Sequence, residues 1–318
     1  MQYILLEEGC SSLKITKNFV RASDKMEIYY EIYEPENPTA HVHIIHGMAE
    51  HIGRYEEFAR FLAKNGFAVS SHDQRGHGRT AERHGAYGFF ADFDGFNRVV
   101  EDVEEVLKTV QPQIGELPLI IFGHSMGSFV ARRYIQLHSG KISKVVVSGT
   151  GGDPGAAGKA GLLFALAAAR FSGKRAVNPI LGKLTFGSFN KPFKDEGSPF
   201  AWLSRDKEAV EKYESDPMSG RPSTNQFYVD LFQGLSLIHK KEEVGKMRKD
   251  LPILLISGSE DPVGDNGKGL FSAAKQFQEA GMEDVQLYLA EGGRHELLHE
   301  TNKQQHFETI VEWMKKDD

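Results

Sequence analysis

Hydrophobic positions along this chain follow two different repeat lengths. Short runs rich in β-branched and apolar residues at 26–33, 40–45, 67–71, 117–122, 144–148, 252–257 and 285–289 predict strands. Most of the later ones are almost continuously apolar, as in Leu119-Ile120-Ile121-Phe122, the pattern of strands covered on both faces of a parallel sheet. Between them, residues 55–65 and 96–110 repeat at helical spacing, the second through Phe96, Val99, Val100, Val103, Val106 and Leu107. Strand alternating with helix predicts an α/β architecture with a mostly parallel central sheet and helices on both faces.

The alternation breaks between residues 151 and 235, where Gly, Ala, Lys and Pro mix with helical stretches and no strand pattern stands out. Thr150-Gly151-Gly152-Asp153-Pro154-Gly155 is turn chemistry, and the sheet pattern resumes at Pro252. This divides the chain into a core from 1–150 and 236–318 with a cap or lid inserted at 151–235. Residues 160–171 carry Leu162, Leu163, Phe164, Leu166 and Phe171 among alanines and end near Arg170, Lys174 and Arg175. Two readings fit: a lid that shelters an acyl chain against Leu162, Leu163 and Phe164 and rests on a lipid surface, or a helix packed on the core with solvated basic residues at its C-terminal end. The stripe Phe227, Tyr228, Val229, Leu231 and Phe232 reads as the interior of the cap.

Bulk composition narrows the function classes. A chain of 318 residues with 40% hydrophobic and 26% charged residues is globular. The net charge of -6, with Lys and Arg scattered, argues against nucleic acid as a partner. The most apolar segment, 161–169, is far shorter than the roughly 20 residues of a spanning helix. Residues 1–10 have no basic region before their apolar stretch, and Cys10 is the single cysteine, so a cytoplasmic location is expected.

Candidate chemistry begins where the strand 117–122 runs into Gly123-His124-Ser125-Met126-Gly127, followed by a helical pattern at 129–137. This is G-x-S-x-G in strand, turn, helix context, which lifts a serine hydroxyl above a sheet edge while glycines remove colliding Cβ atoms. A serine needs a base, and the base an orienting acid. The late strands supply both: Gly258-Ser259-Glu260-Asp261-Pro262 follows one, and Gly292-Gly293-Arg294-His295 follows the other. Asp261 is the candidate acid, with Glu260 its neighbour and competitor, and His295 is the candidate base. An oxyanion also requires two N–H donors, expected from Met126 and from Met48 in the loop His46-Gly47-Met48-Ala49-Glu50-His51.

Other clusters compete. Residues 295–299 spell H-E-x-x-H, which on one helix would make a zinc protease of His295 and His299. Gly292 and Gly293 place the first histidine before any helix, which argues against that reading. His41, His43 and His46 form a second metal candidate, weakened because no cysteine or aspartate cluster follows. Arg75, His77 and Arg79 suggest anion binding, but no phosphate cradle accompanies them. A ligand receptor on a hydrolase scaffold is the remaining alternative, disfavoured by a complete set of candidate catalytic residues.

Taken together, His46-Gly47-Met48-Ala49-Glu50-His51-Ile52-Gly53-Arg54-Tyr55, His72-Asp73-Gln74-Arg75-Gly76-His77-Gly78 and Gly123-His124-Ser125-Met126-Gly127 closely resemble the monoacylglycerol lipase and lysophospholipase-like branch of the α/β-hydrolases, a branch that also resembles sequences labelled serine aminopeptidases. Gly258-Ser259-Glu260-Asp261 and Gly293-Arg294-His295-Glu296 extend the resemblance, whereas the insertion matches no lipase cap residue by residue. The resemblance implies the α/β-hydrolase fold, a Ser125, Asp261, His295 triad and an oxyanion hole at Met48 and Met126. It implies hydrolysis of a monoacylglycerol or similar ester through an acyl-enzyme, with no metal or organic cofactor; a short-chain ester, a lysophospholipid or an aminoacyl amide are the alternative substrates.

Overall fold

A computed structural model describes residues 13–316; the readings made on residues 1–10, Cys10 included, lie outside the described residues. Among these, eight strands form one sheet: β1 (Lys14–Arg21), β2 (Glu27–Glu34), β3 (Ala40–Ile45), β4 (Phe67–His72), β5 (Leu119–His124), β6 (Lys144–Ser148), β7 (Ile253–Gly258) and β8 (Val285–Ala290). Their spatial order is β1-β2-β4-β3-β5-β6-β7-β8. The β1–β2 and β2–β4 pairings are antiparallel and all others parallel. From β3 the chain steps to β4 on one side and then passes back across β3 to reach β5 on the other. The C-terminal ends of β3 and β5 therefore meet at a topological switch point, where open α/β sheets bind ligands.

The helices are α1 (Glu56–Lys64), α2 (Gly78–His84), α3 (Gly95–Ile114), α4 (Met126–His138), α5 (Gly155–Ser172), α6 (Pro179–Phe186), α7 (Lys207–Ser215), α8 (Asn225–Ile238), α9 (Lys241–Val244), α10 (Lys268–Glu279) and α11 (Lys303–Lys315). On one face of the sheet, α1 and α11 bring Phe58, Leu62, Phe307 and Trp313 onto Val42, Ile44, Phe122 and Ile256. On the other, α3, α4 and α10 bring Val99, Val103, Val130 and Phe277 onto Ile121, Val145, Val147 and Leu255. Ile121 and Phe122 thus face opposite layers, which explains why β5 is apolar at consecutive positions.

The sequence pattern missed β1. It is an edge strand whose outer flank is unpaired, and its Lys14, Lys17, Asn18 and Arg21 break any hydrophobic run. From residue 149 to 252 the described chain contains helices, short 3-10 turns and a single isolated bridge between Val177 and Thr224. Within it α5 packs on α8, which in turn contacts α3 and α4. Gly161 allows the closest part of that contact, because a Cβ there would sit 2.7 Å from the Phe232 ring.

The loop after β4 ties the sheet to its neighbours without gathering free cations. Arg75 pairs with Asp24 and Asp102, Arg79 pairs with Glu31, and His77 Nδ1 donates to the Arg75 carbonyl at 2.8 Å. The three suggested metal ligands near β3 also diverge. His46 Nδ1 lies 2.7 Å from the Gly47 carbonyl and its Nε2 accepts the Gln74 N–H. His41 and His43 instead share the Ser70 hydroxyl at 2.7 Å each, and His43 Nε2 continues to His72 Nδ1 at 3.0 Å.

This imidazole chain is closed off from water. Burial pushes His41 and His72 down to about 3 and His43, beside both, well below its ordinary value. An unfolded histidine titrates near ~6.5, so below that pH the unfolded chain takes up protons that the folded chain refuses. Stability contributed by these neutral rings is full above ~6.5 and declines as pH falls toward ~3. Urea unfolding across this range should show the decline, and His43→Gln should flatten its slope by about one proton; an unchanged slope would mean that this ring is not held neutral.

Candidate active site

At the end of β5 the backbone of Ser125 takes φ 53° and ψ -120°, and α4 begins at the next residue. Positive φ at a residue with a side chain costs about 1–3 kcal/mol and persists only when the surroundings impose it. Here they do. The Ser125 N–H donates to the Ser148 carbonyl at 2.9 Å, extending the β5–β6 ladder through the turn. A Cβ at Gly127 would overlap the Ile45 and His46 carbonyls, and one at Gly123 would overlap the Gly127 carbonyl. Both glycines are therefore required by close approach of the turn to the end of β3.

The other two candidates come together across the ends of β7 and β8. Gly258 lies against the Gly293 and Arg294 carbonyls with no room for a Cβ, and the Glu260 N–H donates to the Gly293 carbonyl at 2.9 Å. These contacts set His295 Nδ1 at 2.9 Å from Asp261 Oδ1. Asp261 also accepts from the Val263 N–H at 2.9 Å and the Ser257 hydroxyl at 3.0 Å. Glu260, the competitor, is exposed. Burial alone would raise Asp261, but the imidazole and the two further donors outweigh it and hold the carboxyl below its ordinary value. For His295 burial pulls down, and the Asp261 carboxylate beside it wins, leaving the imidazole above its ordinary value.

The loop after β3 is held from beneath by a buried ionic cluster that sequence reasoning did not foresee. Glu50 accepts the Gly47 N–H at 2.5 Å and the Tyr55 hydroxyl at 2.7 Å, and pairs with Arg54 at 2.6 Å. Arg54 in turn grips both carboxylate oxygens of Glu296, each at 2.7 Å, and stacks on Tyr213. The Tyr213 hydroxyl and the Gly220 N–H both donate to the carbonyl of Ala49, whose φ is 56°. Burial raises Glu296, and the Arg54 guanidinium more than reverses it, so this carboxyl sits well below its ordinary value.

That pairing also answers the H-E-x-x-H question. Residues 297–299 form a 3-10 turn, Glu296 precedes it in a non-helical conformation, and Glu296 is bound to Arg54. His295 and His299 do not share one helical face. His299 is pushed down to about 4 by burial, with Arg54 adding to the effect.

Ser125, His295, Met48 and Met126 all line one cleft of about 580 Å³. Its remaining wall is largely apolar and comes from the segment between β6 and β7: Phe186 of α6, Phe189, Trp202, and Tyr228, Leu231 and Phe232 of α8. The structure does not bring Leu162, Leu163 or Phe164 to this wall. On α5 it is Ala165 that is fully buried and Leu162 that packs partly inward, which turns Leu163 outward to 68% exposure and leaves Phe164 at 39%. The α8 stripe divides: Phe227 is interior, 4.6 Å from the Phe90 ring, while Tyr228, Leu231 and Phe232 reach the cleft.

Removing Arg54 alone would strand Glu50 and Glu296 as buried charges, a loss of about 3–5 kcal/mol. Arg54→Met should therefore lower the unfolding midpoint strongly, and a midpoint within experimental error of the parent would show that the cluster is not buried as described.

A family model described as "Serine aminopeptidase, S33" (Hydrolase_4) matches residues 36–302. Monoglyceride lipase of Mus musculus is 28% identical over 287 residues, spanning 87% of this chain and 82% of that protein. Monoacylglycerol lipase of Mycolicibacterium smegmatis is 28% identical over 293 residues, 91% of this chain and 93% of that one. Among solved structures, a highly thermostable carboxyl esterase from Bacillus coagulans in complex with glycerol has a TM-score of 0.87 at 26% identity, covering 94% of this chain and 97% of that chain. The family match runs from before β3 to beyond the His295 loop, and on that span the chain belongs to the Hydrolase_4 family of α/β-hydrolases.

Proposed function

We propose that this protein is a serine ester hydrolase whose substrate is a monoacylglycerol or a similar lipid-like ester. The observation that carries the reading is the convergence, on one largely apolar cleft, of a strained Ser125 turn, a buried His295–Asp261 pair and the Gly47–Glu50 loop. In this reading His295 donates its Nδ1 proton to Asp261, which leaves Nε2 as the base. Ser125 Oγ bonds to the ester carbonyl carbon as His295 takes its proton; the alcohol then departs with that proton. Water repeats the sequence on the acyl-enzyme and releases the acid.

The oxyanion is assigned to two backbone donors. The Met126 N–H lies in the first turn of α4, where N–H groups lack helical partners. The Gly47 N–H is already committed to Glu50, and the next N–H in that loop, that of Met48, which also lines the cleft, is assigned as the second donor. Each such donor is worth about 10²–10³ in rate. Relatives named as monoglyceride lipases support a lipid-like substrate, as does a wall of Phe186, Leu231 and Phe232 suited to an acyl chain. We assign residues 151–235 as the cap that supplies this wall.

The outer side of the cap is assigned to contact with a lipid surface. Leu163, Leu166, Phe171, Ile180 and Leu184 are exposed on α5 and α6, with Lys159 and Arg170 also exposed. No described helix is long and apolar enough to cross a membrane. Leu163→Ser with Phe171→Ser should weaken sedimentation with anionic vesicles several-fold and leave hydrolysis of a soluble short ester unchanged; equal sedimentation of both forms would remove this contact from the proposal.

Released acid or amine, measured on monoacylglycerols, a lysophospholipid, short esters and an aminoacyl amide, tests the main reading. Ser125→Ala should abolish turnover and Asp261→Asn should lower kcat by roughly 10⁴-fold. Because His295 must be neutral to accept a proton and its pKa is raised, kcat/KM should fall with decreasing pH through a midpoint above about 6.5. Wild-type turnover by Ser125→Ala would refute the mechanism, and cleavage confined to the amide would refute the ester assignment.

A further inference from the structure

A ring anchored through one nitrogen can still rock about that bond, and His295 is anchored to Asp261 through Nδ1 alone. What packs against its faces decides whether the other nitrogen stays aimed. Two rings do so: His124 at a centroid distance of 4.8 Å and Trp202 at 5.1 Å, the latter inclined by 35°. His124 belongs to β5 and is fixed with the sheet. Trp202 is supplied by the segment between β6 and β7.

That segment is fastened to the histidine loop with unusual density. Trp202 lies in the 3-10 turn Ala201–Leu203, and its own N–H donates to Asn190 Oδ1 at 3.1 Å. The Glu296 N–H donates to the Leu203 carbonyl at 2.8 Å, and the Arg294 guanidinium to the Ala201 and Ser204 carbonyls at 2.7 and 3.1 Å. Arg294 also pairs with Glu196 and Arg205 with Glu300. The residues on both sides of His295 are thus docked to the backbone on both sides of Trp202, Arg294 through its guanidinium and Glu296 through its N–H. Beyond it the rings continue: Trp202 to Phe189 at 5.2 Å, and Phe189 to Phe186, the last residue of α6, at 5.7 Å.

We propose that Trp202 is a positioning residue for His295: its indole holds the imidazole in alignment with Ser125 and transmits the placement of α6 to it through Phe189. The proposal rests on the assignment of His295 as the proton shuttle. It gives the cap a role in orienting the base, in addition to walling the cleft. Trp202 also lines the cleft, so the split is read on a substrate too short to use the acyl wall: there, rocking of the imidazole misaligns the proton transfer, and loss of the indole falls on kcat more than on KM.

The chain has two tryptophans, Trp202 and Trp313, and Trp313 is buried on α11. In Trp313→Phe the remaining indole emission reports on Trp202 alone, and a neighbouring imidazolium quenches it. Emission should fall with decreasing pH through a midpoint above about 6.5, and this transition should vanish in His295→Gln. His124, pushed down to about 4 chiefly by burial, cannot produce it. On a short acetyl ester, Trp202→Ala should lower kcat about 10–100-fold with KM changed less than about 3-fold, and Trp202→Phe should recover most of the loss. Flat emission between about pH 5 and 9, equal loss in the Ala and Phe variants, or a loss confined to KM would overturn the proposal. Emission is measured with Trp202 intact, so that readout survives if Trp202→Ala fails to fold. Wild-type turnover by Ser125→Ala would instead sink the hydrolase reading, whereas flat emission with Ser125-dependent turnover would remove only the role of Trp202.

Discussion

Close approach between the turn at Ser125 and the end of β3 is the constraint on which the rest of the site depends. Parallel pairing places Ile45 opposite Gly123, and the chain then turns so tightly that Gly127 rests on the Ile45 and His46 carbonyls. Once that contact is made, Ser125 has no alternative to its positive φ, α4 must start at Met126, and the loop carrying Met48 lies beside the hydroxyl. The cost in backbone strain is local, about 1–3 kcal/mol. The sheet ladder on either side, buried between two helical layers, offsets it.

A second constraint joins the two ends of the sheet core. Arg54 enters from the turn after β3 and Glu296 from the loop after β8, and they meet beneath the cleft, where the guanidinium bridges Glu296 and Glu50. Such a cluster contributes little net stability compared with an apolar filling of the same volume, because its charges lose their hydration. Its geometry is directional where an apolar filling is not. Glu50 fixes the Gly47 N–H, and Arg54 fixes Glu296, the residue next to His295, so the two sides of the cleft share one bidentate arginine.

The pattern of apolar residues was enough to place seven of the eight strands because each of those strands has at least one face against a helix or a neighbour that demands it. Edge strand β1 had no such demand on its outer flank, and its lysines and arginine hid it. The relation of Asp261 to His295 was legible from turn residues after late strands, and the burial that separates Asp261 from Glu260 appeared only in three dimensions. On α5 the small residue Ala165 takes the interior while Leu163 and Leu166 are exposed, an arrangement that the size of the apolar side chains does not signal. Trp202 and Arg54 act through residues far away in the chain, and no local periodicity marks them.

The Arg54–Glu296 pair also bears on the order in which the protein can be assembled. Residues 50 and 54 leave the ribosome long before residue 296 exists, and the loop that carries Glu296 follows β8, after the whole helical segment. During synthesis Arg54 therefore remains hydrated or finds temporary company, and the cleft cannot close around its ionic floor until β8 and the loop after it have been made. Formation of the site is a late, long-range event, the kind that slows folding in proportion to the separation of the partners. A chain interrupted before residue 296 would leave Arg54 without its second carboxylate.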